Sequence, residues 1–297
     1  MKRAIIDLGT NTFNLLVAEI SSHGLNVIYH DKEAVLIGMG GINNGIITDD
    51  AMERALSTIE RFAQQSRAFG VDKVLGFGTS MLRSASNAAV LIEQAKIRAN
   101  VDVKVISGKY EARMIHDGVA WSHQFEGDAL IMDIGGGSTE LILGDDHGIK
   151  ELVSLDIGVS RIYQMLENPI EYSQEHYRKI DKVLDGHTGF FPASEVSTLI
   201  GASGGFETLY EMINKKRFIG SSRTMELKLD SVLNELEWIQ NASFEERVSH
   251  PWIVRFRVEM LPITARKIAW ILEKFKIEKM YVSPYSLKEG LLRNAMK

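Results

Sequence analysis

Ile6-Asp7-Leu8-Gly9-Thr10-Asn11-Thr12-Phe13-Asn14-Leu15-Leu16-Val17 lines up without a gap on Met132-Asp133-Ile134-Gly135-Gly136-Gly137-Ser138-Thr139-Glu140-Leu141-Ile142-Leu143. Each copy reads as a buried strand, an acid at its end, a turn of glycine and hydroxyl residues, and a second apolar strand. A single copy would be an ordinary hairpin with a glycine turn. Two matched copies in one chain are an internal repeat, and they imply duplicated α/β domains that face each other.

The flanking pattern agrees with a duplication. Residues 25–36 read as a third strand. Residues 49–69 have helical spacing of apolar side chains with Thr48 as N-cap. A short strand at 73–77, a helix at 87–98, a strand at 101–106 and a helix from 108 to about 121 follow. The polar segment 122–128 is the best domain boundary. The second half repeats the order, with strands near 129–133, 139–143 and 150–155 and helices near 159–167 and 173–184. A strand at 196–200 runs into Gly201-Ala202-Ser203-Gly204-Gly205 and a helix at 206–213. Helices at 229–240 and from about 259 to 275, a strand at 280–282 and a closing helix at 287–296 complete the chain. Strands in threes, then alternating with helices, suit a mixed sheet with helices packed on it.

At 297 residues the chain is long enough for two domains. With 45% apolar and 25% charged residues it has the profile of a folded globular protein. The balance of 34 basic against 39 acidic residues, net −5, offers no overall polycation for nucleic acid or anionic lipid. A polyanionic ligand would have to rest on local patches and backbone amides. The absence of cysteine excludes disulfides, thiolate zinc sites and cysteine nucleophiles. Met1-Lys2-Arg3-Ala4-Ile5-Ile6-Asp7 meets an acid too soon for a signal segment. No stretch has the length of a membrane span. A cytoplasmic location is expected.

A strand ending in Asp and followed by Gly-Thr-Asn-Thr can hold phosphate by a definite mechanism. Glycine tolerates positive φ and lets backbone N–H groups turn toward an anion, while hydroxyls add donors. The strand-end acid can hold a metal ion or its water against the same phosphate. Gly201–Gly205 supplies a third such turn. No Walker A motif and no Gly-x-Gly-x-x-Gly after a strand is present, which disfavours those nucleotide sites. Paired carboxylates also suit a glycosidase, but that reading leaves three glycine turns without a purpose.

Together with these turns, Gly78-Thr79-Ser80-Met81-Leu82-Arg83, Ile106-Ser107-Gly108-Lys109-Tyr110-Glu111-Ala112-Arg113, and Val282-Ser283-Pro284-Tyr285-Ser286-Leu287-Lys288-Glu289-Gly290 resemble the exopolyphosphatase and guanosine pentaphosphate phosphohydrolase (Ppx/GppA) family over nearly the whole chain. The resemblance implies an α/β fold of the actin-like ATPase superfold, with two RNase-H-like domains and an interdomain cleft. The first domain would span 1–122, completed by a C-terminal helix at 284–297, and the second 123–283. This would be the short, two-domain form. The implied reaction is magnesium-dependent removal of a terminal phosphate by water.

Carried over residue by residue, the resemblance makes Glu111 the group that orients or deprotonates water, with Asp133 and Glu140 as further catalytic acids. Asp7, Asp133 and Glu140 would hold Mg2+. Phosphate would be bound by Gly9, Thr10, Asn11 and Thr12, by Gly135, Gly136, Gly137 and Ser138, by Ser203 and Gly204, and by Arg83 as a bidentate clamp. A capping box from Ser107 would place its acid at 110. Tyr110 stands there instead of the family's usual Glu, so capping does not account for Glu111. Glu259 and Ile263 also depart from the family pattern. Lys215-Lys216-Arg217 and the run 255–267 are candidate tracks for a longer polyanion, and His116-Asp117 reads as an exposed surface pair.

Two substrates fit these parts, inorganic polyphosphate and guanosine pentaphosphate; the lack of an aromatic-rich insertion favours the first. The rival is an actin-like protein that binds nucleotide without turning it over, and Glu111 argues against it. The sequence leaves the oligomeric state open, a homodimer included.

Overall fold

The structure is a computed structural model and describes residues 2–21, 24–71, 73–187, 196–219 and 221–294. Two mixed sheets carry the repeat. The first has the order β3-β2-β1-β4-β5, from β1 (Lys2–Leu8), β2 (Phe13–Ser21), β3 (Gly24–Glu33), β4 (Val74–Gly78) and β5 (Asp102–Val105). The second has the order β10-β11-β9-β6-β7-β8, from β6 (Ala129–Ile134), β7 (Thr139–Asp145), β8 (Gly148–Leu155), β9 (Thr198–Gly201), β10 (Met225–Leu227) and β11 (Lys279–Val282). In each sheet a three-stranded antiparallel meander continues into parallel strands. Antiparallel β10 is an extra edge strand on the second sheet.

Strand alternation decides what each face carries. In β1, Ala4, Ile6 and Leu8 enter a core beneath the helices α1 (Asp49–Ala68) and α3 (Ala88–Ala99). Ile5 points the other way, into a core between the two sheets. In β6, Leu130, Met132 and Ile134 join the outer core of the second lobe, while Ala129 and Ile131 join the shared one. Asp7 has the parity of Ile5, and Asp133 that of Ile131. The same parity sends Asn14 and Glu140, their register partners, to the inner side. One rule of geometry therefore aims both strand-end acids between the lobes.

Two helices fill the shared layer, α4 (Gly108–Ser122) and α11 (Leu287–Asn294). α4 lies on β7 and β8 of the second sheet, and α11 on α4 and β1. They approach backbone to backbone. A Cβ on Gly290 would fall 1.7 Å from the Met114 carbonyl oxygen, and one on Gly118 2.0 Å from that of Ser286.

The remaining helices are α2 (Ser80–Ser84), α5 (Val159–Met165), α6 (Gln174–Asp185), α7 (Gly204–Asn214), α8 (Leu229–Asn241), α9 (Phe244–Ser249) and α10 (Leu261–Lys274). Three differences from the sequence reading have local causes. β3 stops at Glu33 because the chain turns back, with Leu36 at φ 51° donating its N–H to the Asn11 carbonyl. Thr48 sits at the N-cap of α1, but its side chain makes no capping bond. Glu167 and Asn168, both with positive φ, end α5 early. Residues 295–297 of the expected closing segment lie outside the described residues. Among the described residues no helix is long and apolar enough to cross a membrane.

Candidate active site

The two glycine loops are built alike. Gly9 N–H donates to the Thr12 carbonyl (3.2 Å), and Gly135 N–H to that of Ser138 (3.0 Å). They meet across the cleft: a Cβ on Gly136 would fall 2.6 Å from Asn11 Oδ1, and one on Gly137 2.8 Å from Thr10 Oγ1. The expectation that these glycines serve positive φ is corrected. Among the described residues, the positive-φ glycines are Gly40, Gly45, Gly70, Gly127 and Gly148, none of them in the three loops. The loop glycines are required for space, so that side chains such as Thr10, Asn11, Ser80 and Arg257 can close directly on loop backbone.

A cavity of about 180 Å³ opens between the loops. Asp7, Glu111, Asp133, both loops, Ser203 and Gly204 line it, as do Thr79 and Ser80 at the end of β4. Three buried polar atoms in this wall have no partner: Asp7 Oδ1, Thr10 Oγ1 and Ser80 Oγ. Buried polar atoms are normally hydrogen-bonded, so three orphans around one cavity are a mould for a polar ligand. Thr79 and Ser80 were not singled out from the sequence. Their signal was there, a strand end followed by glycine and hydroxyls like the other turns.

Glu111 lies in the first turn of α4, 7% exposed. Ser107 caps the helix by accepting from Tyr110 N–H (3.2 Å), and the Glu111 carboxylate is left to the cleft. Its Oε2 accepts from Arg83 Nη1 at 2.6 Å, and the same nitrogen donates to the Ile106 carbonyl (3.0 Å). Arg83, expected as a phosphate clamp, does not line the cavity here; its guanidinium is engaged with Glu111. Glu140 also stands behind the lining, 1% exposed, accepting from Ser154 Oγ (2.6 Å). Ser203 does line the cavity, but its hydroxyl accepts from Ile134 N–H (3.2 Å). Gly204 is kept bare by a neighbour, since its Cβ would lie 1.9 Å from Arg257 Nη2.

The carboxyls compete for ionisation. Burial, then Glu111, pushes Asp7 up to about 7, against the opposing pull of Lys288 and of Asn14, whose Nδ2 donates to Asp7 Oδ2 at 3.1 Å. Burial also brings Asp133 to about 7, with Glu111 and Asp7 adding to it and a bond from Ser286 Oγ (2.8 Å) opposing it. Burial raises Glu111, while Arg83 pulls it back. Glu140 is raised well above the carboxylate range by burial, Glu111 and Asp133. Such a cluster cannot be fully ionised in a desolvated space without added positive charge. Among the described residues no three His, Asp or Glu side chains converge at metal-ligand spacing.

The cavity's other wall was only partly anticipated in the sequence. Lys32, Glu207, Phe256, Arg257 and Lys288 line it, brought from β3, α7, the turn Arg255–Arg257 and α11. Of these, Lys288 lay in a quoted motif, and Phe256 and Arg257 in the basic run 255–267. The basic run 255–267 divides: Phe256 and Arg257 line the cavity, whereas its later members are engaged elsewhere. Arg266 is tied to Asp181 and Glu273, and Lys267 is fully buried, donating to Thr139 Oγ1 and the Ile157 carbonyl. Burial brings the Lys267 amine down to about 7. Arg217 of the other run pairs with Glu211 (2.7 Å). His116 is buried rather than exposed, stacked on Phe125 with centroids 5.8 Å apart.

The chain is 27% identical over 293 residues to a guanosine-5'-triphosphate,3'-diphosphate pyrophosphatase of Pseudoalteromonas atlantica, covering 97% of this chain and 57% of that protein. A similar enzyme of Aeromonas hydrophila is 28% identical over 294 residues, 97% of this chain and 58% of the relative. The chain thus spans under two thirds of the length of these curated relatives. The crystal structure of an exopolyphosphatase from Cytophaga hutchinsonii superposes with TM-score 0.94 at 31% identity, covering 100% of this chain and 98% of that one. Residues 16–297 match the family described as the Ppx/GppA phosphatase family. With two facing glycine loops, a duplicated pair of mixed-sheet lobes and a match over nearly all of its length, this chain belongs to the Ppx/GppA phosphatase family.

Proposed function

We propose that the chain is an exopolyphosphatase-like phosphohydrolase that releases terminal orthophosphate from inorganic polyphosphate by metal-assisted attack of water. The observation that carries this reading is the convergence of both glycine loops, three orphaned polar atoms and the buried Glu111 on one cavity. The loops grip the terminal phosphate from two sides, so that charge developing on its oxygens meets preset donors. Glu111, raised toward neutrality by burial, accepts a proton from water more readily than an exposed carboxylate does. Arg83 keeps that carboxylate aimed and ionisable. Water attacks in line with the leaving phosphate, and no phosphoenzyme forms. A cavity of about 180 Å³ is smaller than sites that engulf whole ligands of drug size, which suits the end of a chain.

Magnesium is the cofactor of this reading, and the donors present fit it. Asp7 and Asp133 would hold the ion, with Glu140 behind Asp133 on the neighbouring strand. Mg2+ takes only one or two carboxylates and completes its shell with water and substrate phosphate. When bound it would supply charge neutralisation at the phosphoryl oxygens and keep both aspartates ionised.

Guanosine pentaphosphate is the second reading. Phe256 favours it, since its ring lines the same cavity under the Arg257 guanidinium, 5.2 Å from the centroid, and the names of the Pseudoalteromonas and Aeromonas relatives point the same way. The test is phosphate release from polyphosphate, guanosine pentaphosphate and ATP, with magnesium and with chelator, for wild type and Glu111→Gln. Release from polyphosphate should fall about 10²- to 10⁴-fold in the variant. No release from either of the first two substrates would end the hydrolase reading, and turnover of ATP alone would favour a nucleotide-driven actin-like protein.

A further inference from the structure

The basic wall of the cavity holds an anion of its own. Lys32 Nζ and Arg257 Nη2 lie 3.3 and 3.5 Å from the same oxygen, Oε2 of Glu207. Arg257 is fixed in place: Nη1 donates to Thr208 Oγ1 (2.7 Å), and its guanidinium lies against Gly204, where a Cβ would fall 1.9 Å from Nη2. Lys288 approaches from α11, paired with Glu289 at 3.1 Å. Glu207 and Glu289 keep Lys288 charged in spite of burial. In return Glu207, although burial opposes its charge, is held at about 2 by Lys32, Arg257 and Lys288.

An acid in the first turn of α7 would by itself be an ordinary response to the helix dipole. That does not account for Lys32, which comes from the first lobe to meet an acid of the second. Nor does it account for a glycine left bare so that Arg257 can reach the same oxygen. Two cations on one carboxylate oxygen, with Lys288 close enough to help hold Glu207 ionised, carry more positive charge than that carboxylate can offset, whereas a phosphate would present an oxygen to each of them. The trio also shares its cavity with the glycine loops.

We propose that Lys32, Arg257 and Lys288 form a second anion subsite, for the phosphate next to the terminal one, and that Glu207 is an internal anion occupying it until that phosphate displaces it. The proposal rests on the hydrolase reading for its terminal-phosphate site, but not on turnover. Its consequence is a specificity filter. A ligand with a single phosphate, held by the glycine loops, does not reach the trio and gains nothing from it. A chain of phosphates gains the trio but must push Glu207 aside, so Glu207 sets how strongly chain ends are preferred over free orthophosphate.

The test is calorimetric binding of tripolyphosphate and of orthophosphate, with magnesium, in a Glu111→Gln background that blocks hydrolysis. Adding Glu207→Gln should tighten tripolyphosphate about tenfold, and leave orthophosphate within about twofold. Adding Lys32→Met should weaken tripolyphosphate about tenfold, and Lys32→Arg should restore most of it. Circular dichroism on each protein separates loss of binding from loss of fold. The proposal is overturned if folded Glu207→Gln binds tripolyphosphate no better than its parent, or if both ligands shift together. Wild-type phosphate release is scored apart. Silence there with the binding pattern intact would remove the reaction and keep the subsite.

Discussion

At the scale of residues, the repeat is informative where it breaks. Asp7 and Asp133 are equivalent, but opposite them stand Asn14 and Glu140. The amide binds Asp7 and steadies it, while the carboxylate crowds Asp133 and raises the charge that the site must offset. The duplicated acids are therefore unequal, with the more anionic side in the second lobe. Glu111 was pointed to by the family resemblance, with spacing in support because Tyr110 occupies the capping position. Arg83 could not be read as its partner: 28 positions separate them, and no periodicity reports a pair made by packing α2 against the start of α4. The pairing has a testable sign. Arg83 favours the ionised form of Glu111, so Arg83→Met leaves burial unopposed and raises that carboxyl further. The acid limb of kcat/KM should move to higher pH by about one unit or more, and Arg83→Lys should bring it partly back. A phosphate clamp at Arg83 would instead raise KM at every pH and leave the limb in place.

At the scale of elements, periodicity revealed what is long and patterned and missed what is short. The strands of both meanders and helices such as α1 and α10 follow from alternation and from 3.6-residue spacing. β10 has three residues and α2 five, too few for either period to show, and each owes its existence to the sheet or loop it completes. The meaning of the glycines was the larger surprise. Turn chemistry suggested backbone conformation, whereas the structure uses these glycines to let chain pass chain. α4 and α11 depend on this most, since α11 joins the C-terminal segment to both the first sheet and, through Ser286, to Asp133. Gly290→Ala would place a methyl 1.7 Å from the Met114 carbonyl oxygen, and backbone cannot swing aside as a side-chain tip can. Overpacking of this kind costs about 1–3 kcal/mol or more. The unfolding temperature should fall by about 5 °C or more, measured by calorimetry. Lys96→Ala, at an exposed site on α3, should move it far less. An unchanged unfolding temperature in Gly290→Ala would mean that the helices lie farther apart than described.

At the scale of the molecule, the two lobes share an apolar core on one side and are shut on their glycine loops on the other, where the bonds that shut them are mostly weak. Arg161 at the start of α5 donates through Nε to the Gly137 carbonyl of its own loop (2.8 Å), and through Nη1 and Nη2 to the Ile42 carbonyl (3.3 Å) and Ser84 Oγ (3.2 Å) of the first lobe. Gln164 Nε2 adds a bond to the Gly38 carbonyl (2.8 Å), and Ser160 Oγ one to Asn11 Oδ1 (2.6 Å). Such bonds contribute about 1 kcal/mol each once water's competition is counted. A cleft held this way can open to admit a chain end and let orthophosphate leave, yet close around substrate at small cost. Arg161 is the natural lever, because one side chain touches the phosphate loop and both flanking segments of the opposite lobe. Arg161→Met removes two interlobe bonds, about 2 kcal/mol, and so shifts the open–closed balance by up to about thirtyfold. The ligand-free variant should show a larger radius of gyration in small-angle scattering and a several-fold higher KM for polyphosphate. Its kcat should hold or rise if opening limits product release. A kcat that collapses with KM unchanged would instead mean that Arg161 acts on the bound phosphate through Gly137, and not on closure.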